Sequence, residues 1–141
     1  MLKRILVANR GEIAVRILRA CREMRIDTVA VYSQADRGAL FTTLATRAVC
    51  IGPAPARDSY LNADAVLTAA LATECDGLHP GFGFLSENSD FAAKVRECGL
   101  AFVGPPPEVI AKLGDKSAAR RIMRDAGVPV VPGSDGLVAT A

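Results

Sequence analysis

Short apolar runs alternate along the chain with stretches in which apolar residues recur at helical spacing. The apolar runs have the length of buried strands and lie at residues 5–8, 28–32, 48–51, 77–79 and 100–103. Between the first two runs the apolar positions are Ile13, Ile17, Ala20, Cys21 and Met24. This spacing predicts an amphipathic helix over residues 12–24. Similar patterns predict helices over residues 65–72, 87–97, 107–113 and 116–125.

Turn-forming residues separate these elements. Asn62 or Asp64 is placed to cap the helix over residues 65–72, and Gly99 follows the next helix as a C-terminal glycine does. A short final strand is predicted at residues 130–131. The alternation of strands and helices predicts an α/β fold with a doubly wound, mostly parallel sheet and helices on both faces.

Composition narrows the class of protein. The 141 residues are 50% hydrophobic and 23% charged, which fits one folded domain. A net charge of +2 and the absence of tryptophan argue against nucleic acid or an acidic membrane surface as a partner. No apolar stretch reaches the ~18 residues that a membrane span needs. The four cysteines are widely separated in the sequence; they are Cys21, Cys50, Cys75 and Cys98. Their spacing predicts neither a metal site nor a redox pair, and it favours a location in the reducing cytoplasm.

The segment over residues 79–88 is the first candidate site. It follows a predicted strand, contains the only histidine, His79, and carries Gly81 and Gly83 on either side of Phe82. Open α/β sheets bind ligands at such glycine-rich turns after strands, since glycine lets a ligand approach the backbone closely. For His79, the sequence favours a structural hydrogen bond over a catalytic role, because no partner residue accompanies it.

The turn after the first strand is the second candidate. It contains Asn9, Arg10 and Gly11, but it lacks the three-glycine fingerprint of dinucleotide-binding proteins. No acidic residue ends the second strand, where Tyr32, Ser33 and Gln34 stand before Asp36 is reached. We therefore expect no binding of a nicotinamide cofactor. Two interpretations stay open: Arg10 holds an anion at the helix N-terminus, or Asn9 and Gly11 simply order the turn.

Two further groups of charged residues stand out. Arg16, Arg19 and Glu23 share one face of the first helix, which is either solvated or a polar interface across a twofold axis. Lys116 lies in the first turn of the last helix, where a cation opposes the helix dipole. It is either a surface lysine or a ligand for a phosphate or nucleotide.

Together these segments resemble the N-terminal domain of biotin carboxylase, the component of acetyl-CoA, propionyl-CoA and pyruvate carboxylases that carboxylates biotin. The resemblance covers about residues 1–136. The motifs that carry it are residues 5–14, 16–20, 35–37, 50–53, 59–62, 79–88, 102–105, 114–116 and 131–134. It implies a Rossmann-like pre-ATP-grasp domain over residues 1–131, with residues 132–141 beginning a linker to an ATP-grasp domain.

The resemblance also implies a function. The family uses ATP, magnesium and bicarbonate to carboxylate biotin on a biotin carboxyl carrier protein. Lys116 would be a nucleotide ligand, Phe82 and Gly83 would lie near the biotin ring, and Glu87 would border the active site. Arg16, Arg19 and Glu23 would lie on the helix that forms a homodimer.

Because the family's lid, magnesium-binding acids and catalytic groups lie beyond residue 141, we expect no catalytic residue here. We also expect no stable cofactor binding and no activity from these residues alone. The alternative is a free-standing interaction module that docks on a carboxylase subunit through its first helix.

The sequence departs from the family pattern at two places. Phe82 stands where the family usually has tyrosine. Residues 41–48 replace a segment that usually carries a histidine and two acids, so that Thr46 and Arg47 reverse the local charge.

Overall fold

A five-stranded sheet forms the centre of the molecule. The computed structural model describes residues 1–114 and 116–132 of the chain. The strands are β1 (Arg4–Val7), β2 (Asp27–Ser33), β3 (Arg47–Gly52), β4 (Gly77–His79) and β5 (Ala101–Phe102). They lie in the order β3-β2-β1-β4-β5, and each pair of neighbours is parallel. The prediction of a parallel α/β sheet is confirmed.

Helices cover both faces of this sheet, as predicted. The helices are α1 (Gly11–Glu23), α2 (Leu40–Leu44), α3 (Ala63–Ala72), α4 (Ser89–Glu97), α5 (Pro107–Gly114) and α6 (Lys116–Asp125). Buried side chains of α1 and α2 pack on one face. Those of α3, α4 and α5 pack on the other face. No helix among the described residues is long and apolar enough to cross a membrane.

The alternation of side chains along the strands produces two cores. In β1, Leu6 points into the cluster under α3 and α4, whereas Ile5 and Val7 point into the cluster under α1. All three are at most 4% exposed, which explains why this strand is a continuous apolar run.

The sequence pattern missed one helix and misplaced some boundaries. Helix α2 has only five residues and too little periodicity to be recognised, but Phe41 is 2% exposed and packs it against the α1 side of the sheet. Helix α4 begins at Ser89, two residues later than predicted, because the Asn88 side chain accepts a hydrogen bond from the Phe91 N–H at 2.9 Å. The predicted strand at 130–131 is wrong, because these residues form no strand.

Asp76 joins the amino ends of β1 and β4. Its carboxylate accepts hydrogen bonds from the backbone N–H groups of Lys3 (2.7 Å) and Arg4 (2.9 Å). Burial opposes ionisation here, but these N–H donors outweigh it and hold the pKa of Asp76 below its usual value. The contact helps to set the register that places Val7 beside His79 at the other end of the two strands.

An open groove of about 580 Å³ lies beside α1 and the turn after β4. Its walls are mainly apolar and include Leu2, Ile17, Met24, Phe82 and Val103.

Candidate functional site

The turn after β1 is held by a buried asparagine. Asn9 is 3% exposed, and its side-chain oxygen accepts a hydrogen bond from the Arg10 N–H at 2.9 Å. Its amide group donates to the carbonyl oxygens of Pro80 and Phe82, both at 2.8 Å. This asparagine therefore connects the two turns that the sequence treated as separate candidates.

Arg10 is engaged by a neighbouring carboxylate. Its guanidinium lies 2.7 Å from Asp36 and 5.7 Å from the centre of the Tyr60 ring. Asp36 also accepts hydrogen bonds from the hydroxyl groups of Ser33 (3.0 Å) and Tyr60 (2.7 Å). Because Arg10 already has an anionic partner, the geometry favours the turn-ordering interpretation over that of an anion site.

Tyr60 belongs to this polar cluster; it stands in the motif at residues 59–62, but the sequence pattern assigned it no role. Its side chain is 1% exposed, and its hydroxyl also accepts a hydrogen bond from the Ser33 N–H at 3.1 Å. Burial, and next the hydrogen bond to Asp36, raise the pKa of Tyr60 far above its usual value. The hydroxyl therefore stays protonated and acts as a donor to Asp36.

The turn after β4 places an aromatic ring in solvent. Phe82 is 65% exposed, and Gly83 beside it is exposed as well. The next residue, Phe84, has a φ of 43°, which is unusual for a residue with a side chain. Its ring stacks on Tyr60 with a centroid distance of 5.0 Å. The exposed tip of the turn thus lies between two anchored ends.

His79 orders the start of this turn. Its Nδ1 accepts a hydrogen bond from the Gly81 N–H at 3.0 Å, and its carbonyl oxygen accepts one from the Ala8 N–H at 2.9 Å. Burial lowers the pKa of His79 below its usual value, and an Nδ1 that accepts a hydrogen bond must be unprotonated. These contacts fit the structural role that the sequence favoured.

Glu87 lies at the end of the same turn, directly before the cap of α4. Its side chain is exposed and forms no salt bridge within the part of the chain that the structure describes. The sequence pattern predicted Glu87 as the first residue of this helix. That prediction is wrong, because Asn88 takes the capping position and the helix begins at Ser89. Phe82, Gly83 and Glu87 therefore share one solvent-facing turn at the carboxyl end of β4.

The polar face of α1 is exposed. Arg16, Arg19 and Glu23 all face solvent, and Glu12 borders the same shallow surface. Within residues 1–114 and 116–132, none of these four side chains forms a salt bridge. Their charges are available to a second molecule.

Comparison with known proteins agrees with this geometry. The family model described as "Biotin carboxylase, N-terminal domain" matches residues 1–110. The chain belongs to the biotin carboxylase family. It is 58% identical over 136 residues to biotin carboxylase of Allochromatium vinosum and 54% identical over 138 residues to biotin carboxylase 1 of Bacillus subtilis. These matches cover 96% and 98% of this chain, but only 30% and 31% of the two relatives.

A solved structure supports the same conclusion. The biotin carboxylase domain dimer of Hydrogenobacter thermophilus 2-oxoglutarate carboxylase, in complex with MgADP, ADP and bicarbonate, superposes with a TM-score of 0.92. The two are 46% identical, and the match covers 99% of this chain and 31% of that chain. The chain thus spans about a third of the proteins that it matches.

Thr46 and Arg47, where the sequence predicts a reversal of the family's local charge, lie away from the candidate site. Arg47 begins β3, and Thr46 exchanges hydrogen bonds with Thr28 near the start of β2, at 3.1 and 3.2 Å. Because the strands are parallel, these residues lie at the amino end of the sheet, whereas Phe82 and Gly83 follow a carboxyl end. Thr46 and Arg47 therefore lie at the opposite end of the sheet from this turn.

Lys116 and the predicted linker are placed only in part. Lys116 begins α6, but its side chain lies outside the described residues, as do residues 133–141. Its role as a nucleotide ligand and the domain boundary near residue 131 therefore stay predictions.

Proposed function

We propose that this chain is the N-terminal part of an ATP-dependent biotin carboxylase, a ligase that carboxylates carrier-bound biotin with bicarbonate. The observation that carries the proposal is the family match over residues 1–110, with an exposed turn at the carboxyl end of β4. The bound MgADP and bicarbonate of the Hydrogenobacter thermophilus relative support ATP, magnesium and bicarbonate as the parent's reactants. Biotin, the carrier protein and the remaining carboxylase domains are the proposed partners.

In this proposal the domain supplies one wall of the active site. Phe82 offers an exposed apolar ring, and Gly83 leaves room beside it for the fused rings of biotin. Glu87 places a carboxylate at the border of the same turn. Phe82 lacks the hydroxyl of the usual tyrosine, so its part is packing against the ligand and not hydrogen bonding.

The parent reaction has two steps, and these residues take a limited share in them. Phosphoryl transfer from ATP to bicarbonate gives carboxyphosphate, and its carboxyl group then passes to a ureido nitrogen of biotin. Phosphoryl transfer depends on cations that position and neutralise the phosphates. Lys116 is the one such cation that we assign to this chain. Among the described residues, no group of three His, Cys, Asp or Glu side chains is placed to hold a metal.

Cysteine chemistry supports a cytoplasmic location for the proposed enzyme. All four cysteines are free; Cys21 and Cys75 are buried, whereas Cys50 and Cys98 are exposed. Burial raises the pKa of Cys21 and Cys75, which keeps these thiols protonated and unreactive. Exposed free thiols are typical of proteins in a reducing compartment.

The first prediction concerns activity. We expect the 141-residue chain alone to show no biotin-dependent ATP cleavage in an assay with ATP, biotin and bicarbonate. A chimera in which it replaces the matching region of the Bacillus subtilis relative should be active. In that chimera Lys116→Gln should lower ATP turnover at least about tenfold, the cost of one good charged contact. Lys112→Gln, in the neighbouring helix, is the matched control and should change little.

Two results would contradict the proposal. One is a folded but inactive chimera, which would show that these residues cannot serve as a carboxylase N-terminal domain. The other is biotin-dependent turnover by the isolated chain that is lost in Lys116→Gln, which would place a complete active site within these residues.

We also propose that α1 contributes to a homodimer of the parent enzyme. The exposed charges of Arg16, Arg19 and Glu23, which form no salt bridge with other described residues, support this, as does the dimeric state of the Hydrogenobacter thermophilus domain. An interface with both signs of charge on one patch is self-complementary across a twofold axis. The same face would serve the alternative, a module that docks on a carboxylase subunit.

The second prediction tests this face. In the active chimera, Arg19→Glu should convert dimer to monomer in analytical ultracentrifugation, because it places like charges across the axis. Arg22→Glu changes an exposed arginine on another side of the same helix and should leave the dimer intact. A dimer that survives Arg19→Glu would contradict the interface. Binding of the isolated chain to the intact Bacillus subtilis enzyme, lost in Arg19→Glu, would favour the docking module.

A further inference from the structure

The buried side chain of Asn9 anchors the turn at residues 80–84. Asn9 uses both amide hydrogens on the carbonyl oxygens of Pro80 and Phe82, and its own oxygen on the Arg10 N–H. Its hydrogen-bonding capacity is almost fully used in a site that is 3% exposed. Aspartate would lose both donors and would bring a negative charge against two carbonyl oxygens.

Gly81 allows this close approach. Its φ is +68°, and a Cβ at this position would lie 2.6 Å from Asn9 Nδ2 and 2.9 Å from Ile13 Cγ2. A side chain at residue 81 would therefore push the turn away from Asn9. The glycine at position 81 thus leaves the space in which the Asn9 side chain reaches the carbonyl oxygens of the turn.

The far end of the turn has a second anchor. Phe84 keeps its left-handed conformation while its ring stacks on Tyr60 at an angle of 17°. Such a backbone conformation is unfavourable for a residue with a side chain, so it persists only where other contacts hold it. Tyr60 is itself fixed by Asp36 and Ser33. Phe82 and Gly83 thus project from a turn whose two ends are both fixed.

We infer that Asn9 is a positioning residue that holds Phe82 and Gly83 in the geometry of the biotin-facing wall before any ligand arrives. This inference rests on the proposed function, in which the turn faces biotin. Preset loops bind their ligands more tightly because less ordering is left for the binding step. Asn9 does not reach the exposed tip itself, so its effect on biotin passes through the backbone of the turn.

The third prediction tests the anchoring directly, without biotin. In the 141-residue chain, Asn9→Ala should speed hydrogen exchange at the Gly81 and Ser86 amides about tenfold or more relative to the Ala92 amide of α4. The first two amides bond to His79 Nδ1 and to the Gly83 carbonyl within the turn, whereas the third belongs to the helix. The control is Asn62→Ala, which removes another asparagine hydrogen bond, at the N-cap of α3, and should leave this ratio unchanged.

A second variant covers the case in which Asn9→Ala does not fold. Gly81→Ala leaves Asn9 in place but displaces the turn from it, and it should produce the same local increase in exchange. Far-UV circular dichroism checks that each variant is folded. An unchanged exchange ratio in the folded variants would overturn the inference.

Kinetics in the active chimera separate this inference from the proposed function. Asn9→Ala should raise KM for biotin about tenfold and leave KM for ATP nearly unchanged. Faster exchange in the turn with an unchanged KM for biotin would show that Asn9 positions a turn that does not face biotin, and the assignment of the biotin wall would then be wrong. A raised KM for biotin without faster exchange would overturn the positioning role.

Discussion

Replacing Tyr60 with alanine should lower the free energy of unfolding by about 3–5 kcal/mol, as large aromatic truncations in protein cores do. Tyr60 is 1% exposed, so its ring leaves a cavity that surrounding side chains cannot fully close. The change also removes the donor to Asp36 and the acceptor for the Ser33 N–H. Domains of this size are stable by about 5–15 kcal/mol, so this loss removes a substantial share of the total stability.

Urea titration followed by circular dichroism measures this loss, and Tyr60→Phe serves as its control. Phenylalanine keeps the ring and its stacking on Phe84 but lacks the hydroxyl. Its cost should be about 1–3 kcal/mol, the range for leaving a buried polar group without its partner. If Tyr60→Ala cost no more than Tyr60→Phe, the ring would contribute nothing and the assignment of Tyr60 to the core would fail.

The second large effect is expected at the end of β3, where Gly52→Ala should cost about 2–4 kcal/mol. Gly52 has a φ of +151°, and a Cβ there would collide with the carbonyl oxygen of Asp58. This oxygen belongs to the backbone of the short 3-10 turn Ala56–Asp58, so it cannot rotate away as a side chain would. The strain of the unfavourable φ adds to that of the collision.

A matched glycine isolates the collision from the strain. Gly38 also has a positive φ, +79°, but no atom lies within 4 Å of a Cβ built on it. Gly38→Ala should therefore cost only about 1 kcal/mol, the price of the backbone conformation. Thermal unfolding of both variants by calorimetry provides the comparison. Equal melting temperatures would contradict the predicted collision.

The elements that the sequence predicted well are those decided by local patterns. The buried strands, the amphipathic helix α1 and the cap at Asn62 all depend on residues a few positions apart. The sequence pattern did not predict helix α2, because its five residues carry almost no periodicity and the packing of Phe41 stabilises it.

The candidate site was predictable only in its exposed turn. The hydrogen bonds that hold this turn and its neighbour join residues far apart in the chain. Arg10 and Asp36 are 26 positions apart, and Asn9 and Pro80 are 71 positions apart. No spacing rule connects such pairs, because the sheet order brings them together and not the local sequence. Asn9, Asp36 and Tyr60 did stand within the motifs that carried the family resemblance, but these motifs did not reveal their partners.

The central position of β1 has a consequence for synthesis of the chain. Arg4 and its partner Asp76 are 72 positions apart, so at about 5–20 residues per second the ribosome leaves one edge of β1 open for roughly 4–14 s. An apolar strand with an open edge is a site of aggregation. Lys3 directly precedes that strand and Arg4 begins it, and charges in this position discourage pairing with other chains. The two residues whose backbones later bind Asp76 would thus first protect the nascent strand.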